Sequence, residues 1–357
     1  MDYVVLQEIK ELQQIDTKNE YFVFVAPGED HCLKDTHNVH VIVTGNGFYP
    51  LWEQHSLPKI ATDLNIELLH CTSNTAPLNC KIPLILTLHD IIFLEPRDRI
   101  NESIYQNMGW FYRKMLVPKI IKKCKRIITV SNFERNNIIN TLGIPKEKIA
   151  MIYNGYTDWF KPIQDIEFVY RKYIDDPDYF FFLGNTDPKK NTERTLIAYS
   201  KYLEKSEFKR KLLIADLDKQ YLNYIIEHNK IDNIRDMIVM PGYIDNKDLP
   251  YIYNNAFAFL YPSLRESFGI PLLEAMACGT PVITSNTSSM PEIGGPDAIL
   301  INPENPDEIT EKMLQLETDS EFYSRQEEIG LQRATQFSWR HTAEELLNLY
   351  KEVYREI

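Results

Sequence analysis

AFAFLYPSLRESFGIPLLEAMACGTPVITS, residues 256–285, reads as strand, loop, helix and strand, and the rest of the chain is laid out around it. The run from Ala256 to Tyr261 is apolar and aromatic, with the length of a buried parallel strand, and Pro262 with Ser263 ends it. Gly269 lets the backbone approach a ligand closely, and Pro271 fits a first helical turn. Leu272, Leu273, Ala275, Met276 and Ala277 supply the apolar residues of a short helix that Cys278 and Gly279 close. Two carboxylates, Glu266 in the loop and Glu274 in the helix, are expected to face one crevice.

A strand end that feeds a helix N-terminus is the usual ligand position in an open α/β sheet, and its free N–H groups favour phosphate oxygens. A carboxylate there would repel phosphate, so Glu266 and Glu274 are assigned to neutral hydroxyls, which donate well to a charged acceptor. A nucleotide sugar offers both kinds of group. The plainer alternative makes Glu274 a capping or solvated residue of an ordinary helix.

The same strand, loop and helix order occurs upstream. Tyr179 to Leu183 is a strand, Gly184-Asn-Thr-Asp-Pro-Lys-Lys-Asn191 a loop, and Leu196, Ile197, Tyr199 and Tyr202 mark a helix. Lys189 and Lys190 stand where they could neutralise a diphosphate, or else decorate a plain surface loop. Lys211 to Ala215 is a strand ending at Asp216-Leu-Asp218; Asp218 suits a helix N-cap, and no further acidic or histidine cluster completes a hard-cation site. Met237 to Met240 and the turn Pro241-Gly-Tyr243 follow. Alternating strands and helices run to Gln336, and Phe337-Ser-Trp339 opens a helix through Tyr354 whose Trp339, Ala343, Leu346, Leu347 and Tyr350 form an apolar stripe.

The amino-terminal half reads as a doubly wound sheet. A helix over Met1 to Gln14 precedes strands at Tyr21–Ala26, Val39–Val43, Ile66–Cys71, Ile82–Leu88, Arg126–Ser131 and Ile149–Tyr153. Ser131 is an N-cap for the helix that follows it. His89-Asp90 sits at a strand end, where function concentrates in such sheets, although a lone histidine there also fits a structural role. From Arg97 to Arg126 the chain carries nine Lys or Arg against two acidic residues, with Trp110, Phe111 and Tyr112 among them. Such a segment fits either an anionic bilayer surface or a solvated helix face with its aromatics packed inward.

A chain of 357 residues with 44% hydrophobic content makes two α/β domains. Its net charge of −12 argues against broad nucleic-acid binding. Five cysteines without CxxC pairing indicate neither a zinc knuckle nor a disulfide framework, which suits a reducing cytoplasmic setting. No apolar run is long enough to span a membrane, and the amino terminus lacks a signal peptide's basic start.

Glu266-Ser-Phe-Gly-Ile-Pro-Leu-Leu-Glu274, with the following Ala-Met-Ala-Cys-Gly-Thr-Pro-Val, resembles the two-glutamate signature of retaining GT-B glycosyltransferases of group 1, or GT4. Ser288-Ser-Met-Pro-Glu-Ile-Gly-Gly295, Ile301-Asn-Pro and Thr87-Leu-His-Asp90 are similar to that family too, and Asn154-Gly155 with Phe160-Lys-Pro162 resembles its interdomain junction. The resemblance implies two Rossmann-like domains, 1–160 on the acceptor side and 161–336 for the donor, a crevice between them, and a helix 337–357 that returns to the first. It also implies a strand and glycine-rich loop ahead of the first helix, so that either the chain begins late or that strand has been replaced.

By the same resemblance, the reaction expected is metal-independent, cofactor-free, retaining transfer from a nucleotide diphosphate sugar to a glycan or lipid-linked hydroxyl in bacterial surface polysaccharide synthesis. GDP-mannose is the preferred donor and a UDP-sugar the next. The catalytic set implied is His89, Lys190 and Glu266. The donor set is Gly184, Asn185, Lys189, Lys190, Tyr243, Glu266, Ser267, Phe268, Gly269 and Glu274, with Glu274 on the ribose and Tyr243 near the base. Asn185 stands where the family has arginine, so Lys189 is expected to share the charge, or the phosphate to be held less tightly. The rivals are a nucleotide-sugar-binding module without transfer, and a GT-B phosphorylase or nucleotide-sugar hydrolase. Contact with an anionic membrane through 97–126, at the inner face of the cell membrane, is a further expectation.

Overall fold

The computed structural model describes residues 2–28, 32–45, 48–95, 104–163 and 169–356. The chain divides into two compact units, Met1–Gly155 with Trp339–Ile357, and Tyr156–Ser338. The division falls after Gly155 because Phe160 is buried against Tyr253, with ring centroids 6.0 Å apart. Phe337 likewise stays with the second unit, packed edge-on against Phe268 at 5.9 Å. Residues 96–103 of the basic segment and 164–168 of the expected linker lie outside the described residues.

In the first unit, strands β1 (Tyr21–Val25) and β2 (Val39–Val43) form a parallel pair. Strands β3 (Leu69–Cys71), β4 (Leu84–Thr87), β5 (Arg126–Thr129) and β6 (Ile149–Met151) form a separate parallel sheet in that order. The single continuous sheet expected from the sequence is therefore two sheets among the described residues. Apolar runs announce strands but not their neighbours, which long-range pairing decides.

The four-stranded sheet is covered on both faces. Leu84, Leu86 and Ile127 pack with the helix Ile104–Lys123, whereas Ile85 and Ile128, pointing the other way, pack with the helix Trp339–Arg355. Burial on both sides is why these strands read as unbroken apolar runs. The closing helix lies against Asp2–Ile15 and the sheet, and its Tyr350 hydroxyl reaches Nδ1 of half-buried His70 at 2.6 Å, whose Nε2 meets Thr87 Oγ1 at 2.7 Å. Burial pushes the His70 pKa down to about 3, so the ring is neutral.

The second unit holds one six-stranded parallel sheet of β7 (Tyr179–Leu183), β8 (Leu212–Ala215), β9 (Ile238–Gly242), β10 (Ala256–Tyr261), β11 (Val282–Ser285) and β12 (Ile299–Ile301). Their spatial order is β12-β11-β10-β7-β8-β9. The chain winds outward from β7 to one edge and then from β10 to the other, so β7 and β10 are neighbours whose connections leave in opposite directions. That is the topological switch point of a doubly wound sheet, where ligands bind outside the carboxyl ends of the strands. Phe180, Phe182, Ala258 and Leu260 fill one face, while Phe181, Tyr253 and Phe259 form an aromatic cluster on the other, with centroids 5.2 to 5.5 Å apart.

Candidate functional site

The loops leaving β7 and β10 meet. Residues 184–191 lead through a short 3-10 turn, Pro188–Lys190, into the helix Thr192–Lys205. Residues 262–269 lead into Ile270–Ala277. Leu264 N donates to Lys189 O at 2.7 Å, and the buried Asn191 carboxamide donates to Pro262 O at 3.0 Å and Pro303 O at 2.6 Å. These bonds place Lys190 Nζ 2.7 Å from Glu266 Oε1, with both side chains mostly buried. The same ammonium lies 5.4 Å from the ring centroid of Tyr261, the last residue of β10, and the Tyr261 phenol is held well above its usual pKa by burial and by Glu266.

The second loop is suspended from hydroxyls at the end of β11 and on the segment after it. Ser285 donates to Ser263 O at 2.6 Å and Thr287 to Leu264 O at 3.2 Å. Ser289 donates to Glu266 O at 2.9 Å, and Ser288 Oγ accepts from Glu266 N at 3.2 Å. Gly269 then turns into the helix at φ +98°, a backbone conformation that favours glycine, with the flexible end of Met290 2.5 Å from where a Cβ would lie. Phe268 is buried against Phe337, which leaves only its main chain to face a ligand.

Glu274, inside the helix, differs from Glu266. Burial pushes its carboxyl up to about 8, partly opposed by the Tyr253 hydroxyl, which is itself buried and completes no hydrogen bond of good geometry. The charged acceptor expected at Glu274 is thus a carboxyl that burial biases toward its protonated form, whereas Glu266 has Lys190 beside it.

In the first loop, Asn185 Oδ1 accepts from Asp187 N at 2.9 Å, leaving its amide nitrogen to donate. Gly184 is tight against the Phe182 ring, which a Cβ would approach to 2.6 Å. Lys189 has a different partner from Lys190: its ammonium pairs with Asp187 Oδ2 at 3.2 Å. Tyr243, just after β9, is 66% exposed, and Asp218 caps its helix by accepting from Tyr221 N at 2.9 Å. Among the described residues, no three His, Cys, Asp or Glu side chains gather as a metal site.

His89 belongs to the first unit, beyond β4. Its main-chain N–H donates to Asn74 Oδ1 at 2.7 Å, and its Nε2 lies 3.0 Å from Thr72 O. A carbonyl only accepts, so Nε2 carries the proton and Nδ1 keeps its lone pair. Burial lowers the pKa of the ring and keeps it neutral.

The sequence assigns no site role to Tyr261, Asn191, Asp187, Ser288 or Ser289, although the two serines open a stretch similar to the family. A tyrosine ending an apolar strand reads as core, and serines one sheet position away carry no local mark of the loop they support. Asn191 did leave a signal, since an asparagine ahead of an apolar-periodic helix suits the left-handed entry it adopts at φ +60°.

Residues 3–158 match the profile of Glycosyltransferase Family 4, and residues 165–333 that of Glycosyl transferases group 1. The chain is 30% identical to the O-antigen chain mannosyltransferase B of Escherichia coli over 75% of this chain and 70% of that one. It is 27% identical to the serotype-specific mannosyltransferase WbdA of Escherichia coli over 72% of this chain, but spans only 32% of that longer protein. Sucrose-phosphate synthase from Thermosynechococcus elongatus superposes with a TM-score of 0.77 at 17% identity, over 100% of this chain and 94% of that one. Anabaena HepE, solved with UDP and glucose, gives 0.66 at 16% identity over 88% and 86%.

Proposed function

Because this chain belongs to the group 1 glycosyltransferases of the GT4 type and has the GT-B fold, we propose that it transfers mannose from GDP-mannose to a glycan or lipid-linked hydroxyl in surface polysaccharide synthesis. A UDP-sugar is the second donor candidate. Support for mannose comes from the names of the O-antigen relatives, and support for a nucleoside diphosphate from the ligand of HepE.

In the proposed reaction the bond between the anomeric carbon and the diphosphate oxygen breaks, the acceptor oxygen bonds that carbon on the same face, and the departing phosphate oxygen takes the acceptor proton. Negative charge builds on the diphosphate. Lys190 and the Ile270 N–H at the start of Ile270–Ala277 are fixed donors for that charge, Pro271 having no N–H and Leu272 N being bonded to Gly269 O, so neither metal nor cofactor is required. To reach phosphate, Lys190 exchanges its Glu266 partner, which frees Glu266 to accept from a sugar hydroxyl. Glu274 holds the ribose, Tyr243 lies near the base, and main-chain groups of Gly184, Asn185, Ser267, Phe268 and Gly269 complete the donor site. His89 accepts from a sugar hydroxyl at Nδ1.

The Lys190–Glu266 pair at the switch point carries the proposal, because it joins a cation and a carboxylate 76 residues apart where a sugar diphosphate needs both. Glu266→Ala and Lys190→Ala are each expected to cut turnover by about tenfold or more, the scale of a lost transition-state contact. Wild-type turnover in both variants would overturn the assignment, and donor binding without any product in the native protein would favour a binding module.

The protein is also proposed to rest on an anionic membrane. Helix Ile104–Lys123 exposes Met108, Phe111 and Met115 on one face, each about half accessible, beside exposed Lys114, Lys119, Lys122 and Lys123. Among the described residues no helix is long and apolar enough to cross a membrane.

A further inference from the structure

We infer that Asp187 is a built-in counter-charge that limits how tightly the first loop of the second unit holds a diphosphate; this rests on the proposed donor site. Asp187 divides its carboxylate between two tasks. Oδ1 accepts from Lys189 N at 3.1 Å and caps the Pro188–Lys190 turn, while Oδ2 pairs with Lys189 Nζ at 3.2 Å. Lys190 is already paired with Glu266. The two lysines that would meet a diphosphate therefore stand opposite two carboxylates, and their formal charges cancel. Asn185, neutral and with its oxygen bound to Asp187 N, adds no charge.

The two pairs differ in consequence. Lys190 and Glu266 exchange partners productively, since a donor brings both a phosphate for one and a hydroxyl for the other. Asp187 has no such exchange. Its side chain and that of Lys189 are 44% and 39% accessible, so their pair is weak and opens at little cost. What persists after it opens is a negative charge on the loop proposed to hold the anion, and that repulsion lowers affinity. The nucleoside diphosphate left after sugar transfer feels it without the compensation of sugar contacts, so Asp187 favours product release.

Asp187→Asn separates the two tasks, because an asparagine oxygen still caps the turn while the charge is gone. Binding of GDP, UDP and inorganic pyrophosphate would be measured calorimetrically at low salt for the native protein, D187N, K189A, the D187N/K189A pair and K190A. D187N should bind the best native ligand about threefold tighter or more, with the gain shrinking as salt is raised. Because the pair is weak, the D187N gain should persist in the K189A background, with K189A weakening binding about equally in both. Equal affinities of native protein and D187N, or of K189A and D187N/K189A, would overturn the inference. If K190A binds every probe as the native protein does, the donor site itself is misplaced, an outcome distinct from failure of the Asp187 role. A melting temperature for D187N close to native checks that the cap survives.

Discussion

Glu266 and Glu274 are the same residue type eight positions apart, yet their surroundings differ. Glu266 has an ammonium at 2.7 Å, whereas Glu274 faces a phenol within the interior. Glu274 releases its proton near 4.5 when unfolded but near 8 when folded, so the native state holds a proton that the unfolded chain has lost between those values. Stability from this group is complete below about 4.5 and is lost as pH rises through about 8. Glu274→Gln replaces the neutral carboxyl by a neutral amide that cannot titrate. Melting temperatures at pH 5 and pH 8 should therefore fall less with pH in this variant than in the native protein; an equal fall would mean that Glu274 is not held protonated. The sequence spacing puts both carboxylates near a strand end, but does not show what surrounds each. That depends on partners, one of them 76 residues away at Lys190.

Single elements were the most legible features, because their signals are local. The strand, loop and helix at 179–205 and again at 256–277 follow from apolar runs punctuated by Gly184, Pro188, Gly269 and Pro271, and Asp218 and Ser131 cap helices as their positions suggest. Pairing was not legible: β1–β2 and β3–β6 lie in separate sheets although all six strands read alike. The basic helix Ile104–Lys123 is an intermediate case. Its lysines and aromatics are visible in the sequence, but Trp110 and Tyr112 pack inward while Met108, Phe111 and Met115 lie outside. Changing those three outward residues to serine removes apolar area that a bilayer would cover. Sedimentation with vesicles containing anionic lipid should then show about tenfold weaker binding or less, with folding unaffected. Unchanged sedimentation would remove this helix as the contact.

At the scale of the molecule, the order of strands in the second unit is what turns local motifs into a site. Winding outward from β7 and then from β10 makes their loops neighbours, so Lys190 and Glu266 meet without either motif predicting the other. The hydroxyl supports at Ser285, Thr287, Ser288 and Ser289 follow from the same order, since β11 is the next strand beside β10. The central claim is that this junction holds a sugar nucleotide through its diphosphate. A ligand that binds only the folded state raises the melting temperature. The direct measurement is the melting temperature of the native protein and of K190A across GDP-mannose, UDP-glucose and other nucleotide sugars. The account predicts a rise with one of them, GDP-mannose first, that is lost or strongly reduced in K190A; an equal rise in both proteins, or none with any sugar nucleotide, would contradict it.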